Sequence, residues 1–162
     1  MLLKNRPLPS SPIGEGLLPL TPEKLLQLHS TSPYRGTEGV SILVVGENAI
    51  RSLTKGGGSS ELKSRRDISP LEAFQEIVNS KWPDCTLSYV QGYASGRAIY
   101  DKVDAVDPAG QQRLHDEAIA AARGADLIIY VGGLNKNHKQ DCENGDRESF
   151  DLSFGQNELI SE

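Results

Sequence analysis

The sequence predicts an α/β fold in which a mostly parallel sheet is sandwiched between helices. Two observations support this class. Short apolar runs rich in β-branched residues, each followed by glycine, alternate with amphipathic segments that open with a capping residue and a proline. The order strand, loop, helix, strand is typical of parallel sheets, because the chain must cross over between neighbouring strands.

The composition is that of a globular domain with one core. The chain has 162 residues, of which 37% are hydrophobic and 24% are charged. Its net charge of -5 disfavours nucleic acid and anionic membranes as partners, because both select clustered lysine and arginine. No apolar run approaches the roughly 20 residues that a membrane helix requires. The sequence therefore predicts neither a nucleic-acid partner nor a membrane partner.

We divide the chain into two regions by their patterns. Residues 1–39 carry much of the proline and little periodicity, and we interpret them as an N-terminal wrapping arm or linker. Within this arm, Thr21 and Pro22 are predicted to start a short helical turn. Residues 40–162 are predicted to form the α/β-sandwich domain. We expect this domain to be incomplete at its C-terminus and part of a larger protein.

Three strands are predicted in the domain. The run Ile42–Val45, closed by Gly46, has the pattern of a strand that is buried on both faces. The segment Thr86–Val90 alternates more, which indicates a position nearer an edge. The third strand, Leu127–Val131, is predicted to be buried and to end at Gly132.

Helices are predicted between and after these strands. The segment Ser69–Glu72 has the pattern of a capping box, and its helix should end before Trp82. Asp107–Pro108 should begin the next helix, and Gly124 should stop it. The segment Gln156–Ile160 resembles the first turns of a third helix.

Three loops follow the predicted strands, and they contain residues 56–60, 91–96 and 132–147. The carboxyl ends of parallel strands meet at one edge of a sheet, where ligands commonly bind. The first loop is rich in glycine but contains neither G-x-x-x-x-G-K-[ST] nor a G-x-G-x-x-G that opens a helix directly. This favours a loop that is flexible, or that other atoms approach closely, over a nucleotide site. A free-standing nucleotide-binding domain therefore remains only an alternative.

The third loop concentrates ionisable groups. It could bind a metal, form a solvated surface, or hold an acid/base site. Its glycine falls one position early for a calcium loop, and zinc would need a more rigid ligand frame, so we expect no metal. Composition and spacing do not choose between the other two. The groups are His138, Asp141, Cys142, Glu143, Asp146 and Arg147. For Cys142 and Cys85 we expect free thiols.

A series of short motifs resembles a known domain. In chain order they are Leu2–Asn5, Leu18–Leu20, Val44–Ala49, Gly56–Ser60, Ser69–Ala73, Asp126–Asn135, Glu143–Arg147 and Gly155–Ile160. Each motif is weak alone, but their order resembles the C-terminal α/β-sandwich domain of glycoside hydrolase family 3. This is the β-glucosidase and β-xylosidase family, and the resemblance covers nearly the whole chain.

The resemblance implies a retaining, exo-acting β-glycosidase that hydrolyses O-glycosyl bonds without a cofactor. Its substrate would be an oligosaccharide or an aryl or alkyl β-glycoside. The family pattern Glu-Gly-x-Asp-Arg places the general acid/base on Glu143. The nucleophile would be an aspartate on an N-terminal barrel domain of the same protein, which this chain lacks. We therefore expect the chain alone to be inactive.

Within this hypothesis we assign two supporting roles. Gly57, Gly58 and Ser59 are expected to contribute to the substrate-binding pocket. Asp146 and Arg147 are expected to form an ion pair that structures the base of the acidic loop. The alternative is a non-catalytic domain that binds carbohydrate or buttresses the barrel. For the intact protein we expect a periplasmic or secreted location.

Overall fold

A computed structural model describes residues 5, 16–33, 39–51, 62–95, 98–99, 102–103, 107–135 and 149–162. The helices are α1 (Pro22–Thr31), α2 (Pro70–Lys81), α3 (Pro108–Ala122) and α4 (Gln156–Ser161), and the strands are β1 (Val40–Val45), β2 (Cys85–Val90), β3 (Ala98–Ile99), β4 (Lys102–Val103) and β5 (Leu127–Tyr130). A short 3₁₀ helix, Glu47–Ile50, follows β1. Within these ranges, none of the helices combines the length and the apolar character that crossing a membrane demands.

The main sheet is parallel and has β1 at its centre. Its strand order is β2-β1-β5, and Ile42 of β1 lies opposite Leu87 on one side and Leu127 on the other. The hydrophobic residues of β1 are all nearly inaccessible to solvent, which confirms the predicted burial on both faces. The alternating strand β2 lies at an edge of this sheet, as predicted.

Successive side chains of β1 point to opposite faces of the sheet, and each face carries its own core. One core joins β1 to α1, α2 and β5 through Leu25, Val40, Ile42, Val78 and Leu127. The other joins β1 to α3 and α4 through Leu43, Val45, Tyr93, Ala118 and Leu159. Helices therefore cover both faces of a parallel sheet, and the predicted α/β sandwich is confirmed.

The predicted helix starts are confirmed. The side chains of Thr21, Ser69 and Asp107 each accept a hydrogen bond from a backbone N–H of the first helical turn, and a proline follows each of them. The capping box of Ser69 and Glu72 forms both of its bonds. One prediction was too short, because the turn after Thr21 is a helix of ten residues. Its Leu25 is fully buried in the first core, and such packing supplies most of a helix's stability.

Two further predictions need correction. Strand β5 is only partly buried, and Ile128 is 48% exposed. Among the described strands, β5 pairs only with β1, so its outer side has less cover than a central strand. The predicted polar loop after β2 contains the antiparallel pair β3 and β4, which has two residues in each strand. Strands this short carry no detectable periodicity. The division into an arm and a domain at residue 39 stays a prediction.

Candidate functional site

The exits of β1 and β5 lie in contact at the carboxyl edge of the sheet. Gly46 ends β1 with a φ of 124°, a conformation that disfavours residues with a side chain. A Cβ atom at this position would also collide with the carbonyl oxygen of Val131, which directly follows β5. A residue without a side chain is therefore needed for the two strand exits to approach this closely.

Glu47 joins the exit of β1 to the exit of β2. Its side chain is almost fully buried. One carboxylate oxygen accepts hydrogen bonds from the backbone N–H of Ser95, at 2.8 Å, and from the Ser95 hydroxyl. The other oxygen accepts a bond of 2.5 Å from Nη2 of Arg51. Because both oxygens are engaged, Glu47 is suited to anchoring the two loops.

Two buried asparagines bring the exit of β5 into the same arrangement. Nδ2 of Asn135 donates to Oγ of Ser95 at 2.9 Å and to Oδ1 of Asn48 at 3.2 Å. Nδ2 of Asn48 lies 3.3 Å from the carbonyl oxygen of Gly133 and 3.4 Å from that of Leu134. We call Glu47, Asn48, Ser95 and Asn135 the carboxyl-edge network. Buried and mutually bonded polar groups of this kind fix one arrangement of the elements that carry them.

Gln156 makes a second connection at the exit of β5. Its side chain is fully buried. Oε1 accepts hydrogen bonds from the N–H of Gly133 at 2.8 Å and from the hydroxyl of Tyr130 at 3.0 Å. Nε2 donates to the carbonyl oxygens of Gly133 at 3.3 Å and Ser153 at 2.9 Å. Burial raises the pKa of Tyr130 to about 12, so this hydroxyl keeps its proton at neutral pH.

An open groove of about 320 Å³ lies beside these strand exits. Its lining is largely apolar and consists of Asn48, Arg51, Ile68, Ser69, Pro70, Ala73, Val131, Gly132 and Leu134. Arg51 directly precedes residues 52–61, and Leu134 lies two positions before residues 136–148. The groove is therefore lined by residues that stand one or two positions before the two segments with the predicted site residues. This position agrees with the prediction that the loops converge on one edge of the sheet.

The predicted site residues themselves lie outside the described residues, so their roles stay predictions. They are Glu143, Gly57, Gly58, Ser59, Asp146 and Arg147. In the part of the chain that the structure does describe, no three histidine, cysteine, aspartate or glutamate side chains come together as metal ligands would. Cys85 is a free thiol, as predicted, and burial raises its pKa. Cys142 lies in the segment that is not described.

Sequence reasoning did not anticipate the carboxyl-edge network or Gln156. A signal was present, because each strand exit places a polar residue within five positions of the end of its strand. Glu47 follows β1, Ser95 follows β2 and Asn135 follows β5. The predicted parallel order brings the ends of these three strands to one edge of the sheet. Their partners could not be paired from sequence, since the bonded residues are 40 to 87 positions apart.

A parallel sheet between helices, with its strand exits locked together by buried polar side chains, defines an α/β-sandwich domain that presents loops at its carboxyl edge. Comparison of the sequence with known protein families identifies one family. The model of the glycosyl hydrolase family 3 C-terminal domain matches residues 1–162, and the chain belongs to this family. The resemblance that the motifs indicated is thereby confirmed.

Two known proteins illustrate the similarity. The chain is 50% identical over 119 residues to the β-glucosidase BoGH3A from Bacteroides ovatus. This match covers 74% of the chain and 15% of the relative, so the chain spans only a small part of that protein. A solved β-glucosidase, described as involved in saponin metabolism and from intestinal bacteria, gives a TM-score of 0.49 at 21% identity. That match covers 85% of this chain and 22% of the other.

Proposed function

We propose that this domain supplies the general acid/base of a retaining, exo-acting β-glycosidase that hydrolyses O-glycosyl bonds. The substrates would be oligosaccharides or aryl or alkyl β-glycosides of the β-glucoside or β-xyloside type. The similarity over 119 residues to a β-glucosidase favours the glucosides. The nucleophile would come from an N-terminal barrel domain, so the isolated domain should not turn over substrate.

The observation that carries the proposal is the origin of the segment that holds Glu143. This segment begins after Asn135, which is buried in the carboxyl-edge network, beside a groove at the carboxyl edge of a parallel sheet. Ligands of open α/β folds bind at this edge. A loop that starts there is well situated to bring a carboxyl group to a substrate held against a second domain.

The chemistry requires one carboxyl group that changes its role between two steps. In the first step, the barrel aspartate attacks the anomeric carbon while the Glu143 carboxyl group gives its proton to the leaving oxygen, and the glycosidic bond breaks. In the second step, the Glu143 carboxylate takes a proton from water, whose oxygen attacks the same carbon and releases the aspartate. Retaining enzymes hold the two carboxyl groups about 5–5.5 Å apart.

The test is Glu143→Gly in the full-length protein, assayed on an aryl β-glucoside with a good leaving group, with and without azide. We expect kcat to fall by about 10²–10⁴-fold, the usual contribution of general acid–base catalysis. The glycosyl-enzyme should still form, because a good leaving group needs no proton. Azide, which needs no base, should then restore turnover and give a glycosyl azide of retained configuration.

The matched substitution Glu143→Gln keeps the size of the side chain and removes its acid/base function. It should slow the hydrolysis of alkyl glucosides as strongly as the glycine variant. If both variants keep near wild-type rates and azide changes nothing, the proposal is wrong. The domain would then bind carbohydrate or buttress the barrel, with the acid supplied from elsewhere.

A further inference from the structure

Gln156 occupies an unusual position for a polar side chain. It is the first residue of α4, yet its side chain is fully buried. The preceding residues, Phe154 and Gly155, both have left-handed backbone conformations, with φ of 64° and 72°. Such a conformation is uncommon for a residue as bulky as phenylalanine. Together they turn the chain so that the Gln156 amide faces the exit of β5.

The Gln156 amide has all of its hydrogen-bonding capacity in use. An amide can accept two bonds and donate two, and Gln156 accepts from Gly133 and Tyr130 and donates to Gly133 and Ser153. The pairing with both backbone groups of Gly133 imitates the pairing between neighbouring strands. A fully satisfied buried group of this kind holds its partners in one geometry.

The partners of Gln156 lie on both sides of the segment that carries Glu143. Gly133 precedes it and Ser153 follows it, and Glu143 is ten positions from each of them. One side chain is therefore bonded both to the residue where this segment leaves the sheet, Gly133, and to a residue that follows the segment, Ser153. Asn135 holds the outgoing side in addition, through Ser95 and Asn48.

We propose that Gln156 is a positioning residue for the acid/base loop, and that it acts by closing the base of that loop against Gly133. This inference rests on the proposed function of Glu143. Because its amide is bonded to Tyr130, Gly133 and Ser153, the role assigned to Gln156 is to act through the loop and not on the reacting atoms. Its contribution is to direct the loop so that the carboxyl group reaches the leaving oxygen and, later, the attacking water.

The test compares substrates with poor and good leaving groups in full-length Gln156→Met, which keeps the length of the side chain and removes its four bonds. Misplacement of a catalytic group by about 1 Å can cost about 100-fold. We expect a loss of about that size in kcat/KM for an alkyl β-glucoside, and of less than about threefold for a dinitrophenyl β-glucoside, which needs little acid assistance. Azide should speed the turnover of the dinitrophenyl substrate.

A matched control lies on the opposite edge of the sheet. Asp126, which directly precedes β5, bonds to His29 and to the N–H of Ser41, far along the strand from Gly133. Asp126→Asn should loosen the domain without selecting between leaving groups and without a response to azide. If Gln156→Met also fails to distinguish the leaving groups, by slowing both substrates equally or by slowing neither, the positioning role is wrong.

Two further variants make each outcome decisive. Glu143→Gly in the same assay separates the two proposals. If Glu143→Gly responds to azide and Gln156→Met does not, only the positioning role fails. If Glu143→Gly resembles wild type, the proposed function itself fails. Should Gln156→Met not fold, Tyr130→Phe decides, because it removes a single bond to the amide. A smaller loss confined to poor leaving groups would support the proposal, and a uniform loss or none would overturn it.

Discussion

The parallel sheet has an amino edge, where its strands begin, and a carboxyl edge, where they end. A buried carboxylate serves a different purpose at each of them. At the amino edge, Asp126 accepts hydrogen bonds of 2.8 Å from Nδ1 of His29 and 2.9 Å from the N–H of Ser41. These bonds fasten α1 and β1 to the start of β5. At the carboxyl edge, Glu47 connects the loops that leave β1 and β2, and its network continues to the loop after β5.

The amino edge therefore contributes to assembly of the fold, whereas the carboxyl edge also positions the loops. Loss of the bonds at the amino edge affects how firmly α1 and the sheet hold together. Loss of the carboxyl-edge network should also change where the loops leave the sheet. Stability and activity should therefore fall together when the carboxyl edge is disturbed, whereas stability should fall alone when the amino edge is disturbed.

The largest effect is expected from Glu47→Ala in the full-length protein. It removes the carboxylate that accepts from the buried N–H and hydroxyl of Ser95 and the charge that faces Arg51. Losing a buried carboxylate together with its hydrogen bonds from Ser95 and Arg51 should cost about 3 kcal/mol, so exchange of the β1 amides with deuterium should accelerate roughly 100-fold. The value of kcat/KM for an alkyl β-glucoside should fall as well. Unchanged amide exchange would contradict an anchoring role for Glu47.

A smaller effect is expected from Asp126→Asn. Asparagine keeps an oxygen that can accept from the Ser41 N–H but loses the charge that faces His29. We expect a loss of about 1–2 kcal/mol, typical of one hydrogen bond to a charged group, and roughly tenfold faster exchange of the β1 amides. Activity should stay within about twofold of wild type, because the hydrogen bonds described for Asp126 reach α1 and the start of β1 and not the loops at the carboxyl edge. A large loss of activity would remove the distinction between the edges.

The smallest effect concerns pH. Burial alone would raise the pKa of Asp126, but hydrogen bonds from Ser41, His29 and Ser32 and the nearby His29 hold it below its ordinary value. The folded state therefore binds this proton less readily than the unfolded state. Its contribution to stability is present above the unfolded pKa of about 3.9 and disappears as pH falls through the lower folded value. The difference in amide exchange between wild type and Asp126→Asn should shrink over that range, and a constant difference would contradict the assignment.

Much of the fold could be predicted because its signals are local. The cap, proline and glutamate of Ser69–Glu72 specify a helix start within four residues, and the apolar run Ile42–Val45 specifies a buried strand. The partial exposure of Ile128 could not be predicted, because burial depends on which elements cover a strand and not on its composition alone. The bonds between Glu47, Ser95 and Asn135 depend on the register of distant strands, which local patterns do not determine.

The closure at Gly133 has a consequence for the architecture of loops in this domain. Asn135 holds the chain before residues 136–148, and the Gln156 amide joins Gly133 to Ser153, so both ends of this insertion are fixed by bonds that lie outside it. Doubling the length of a flexible loop between fixed ends costs only about 0.6 kcal/mol in closure entropy. The sheet should therefore accept insertions of other lengths and sequences at this place, provided that Gly133, Asn135 and Gln156 are kept.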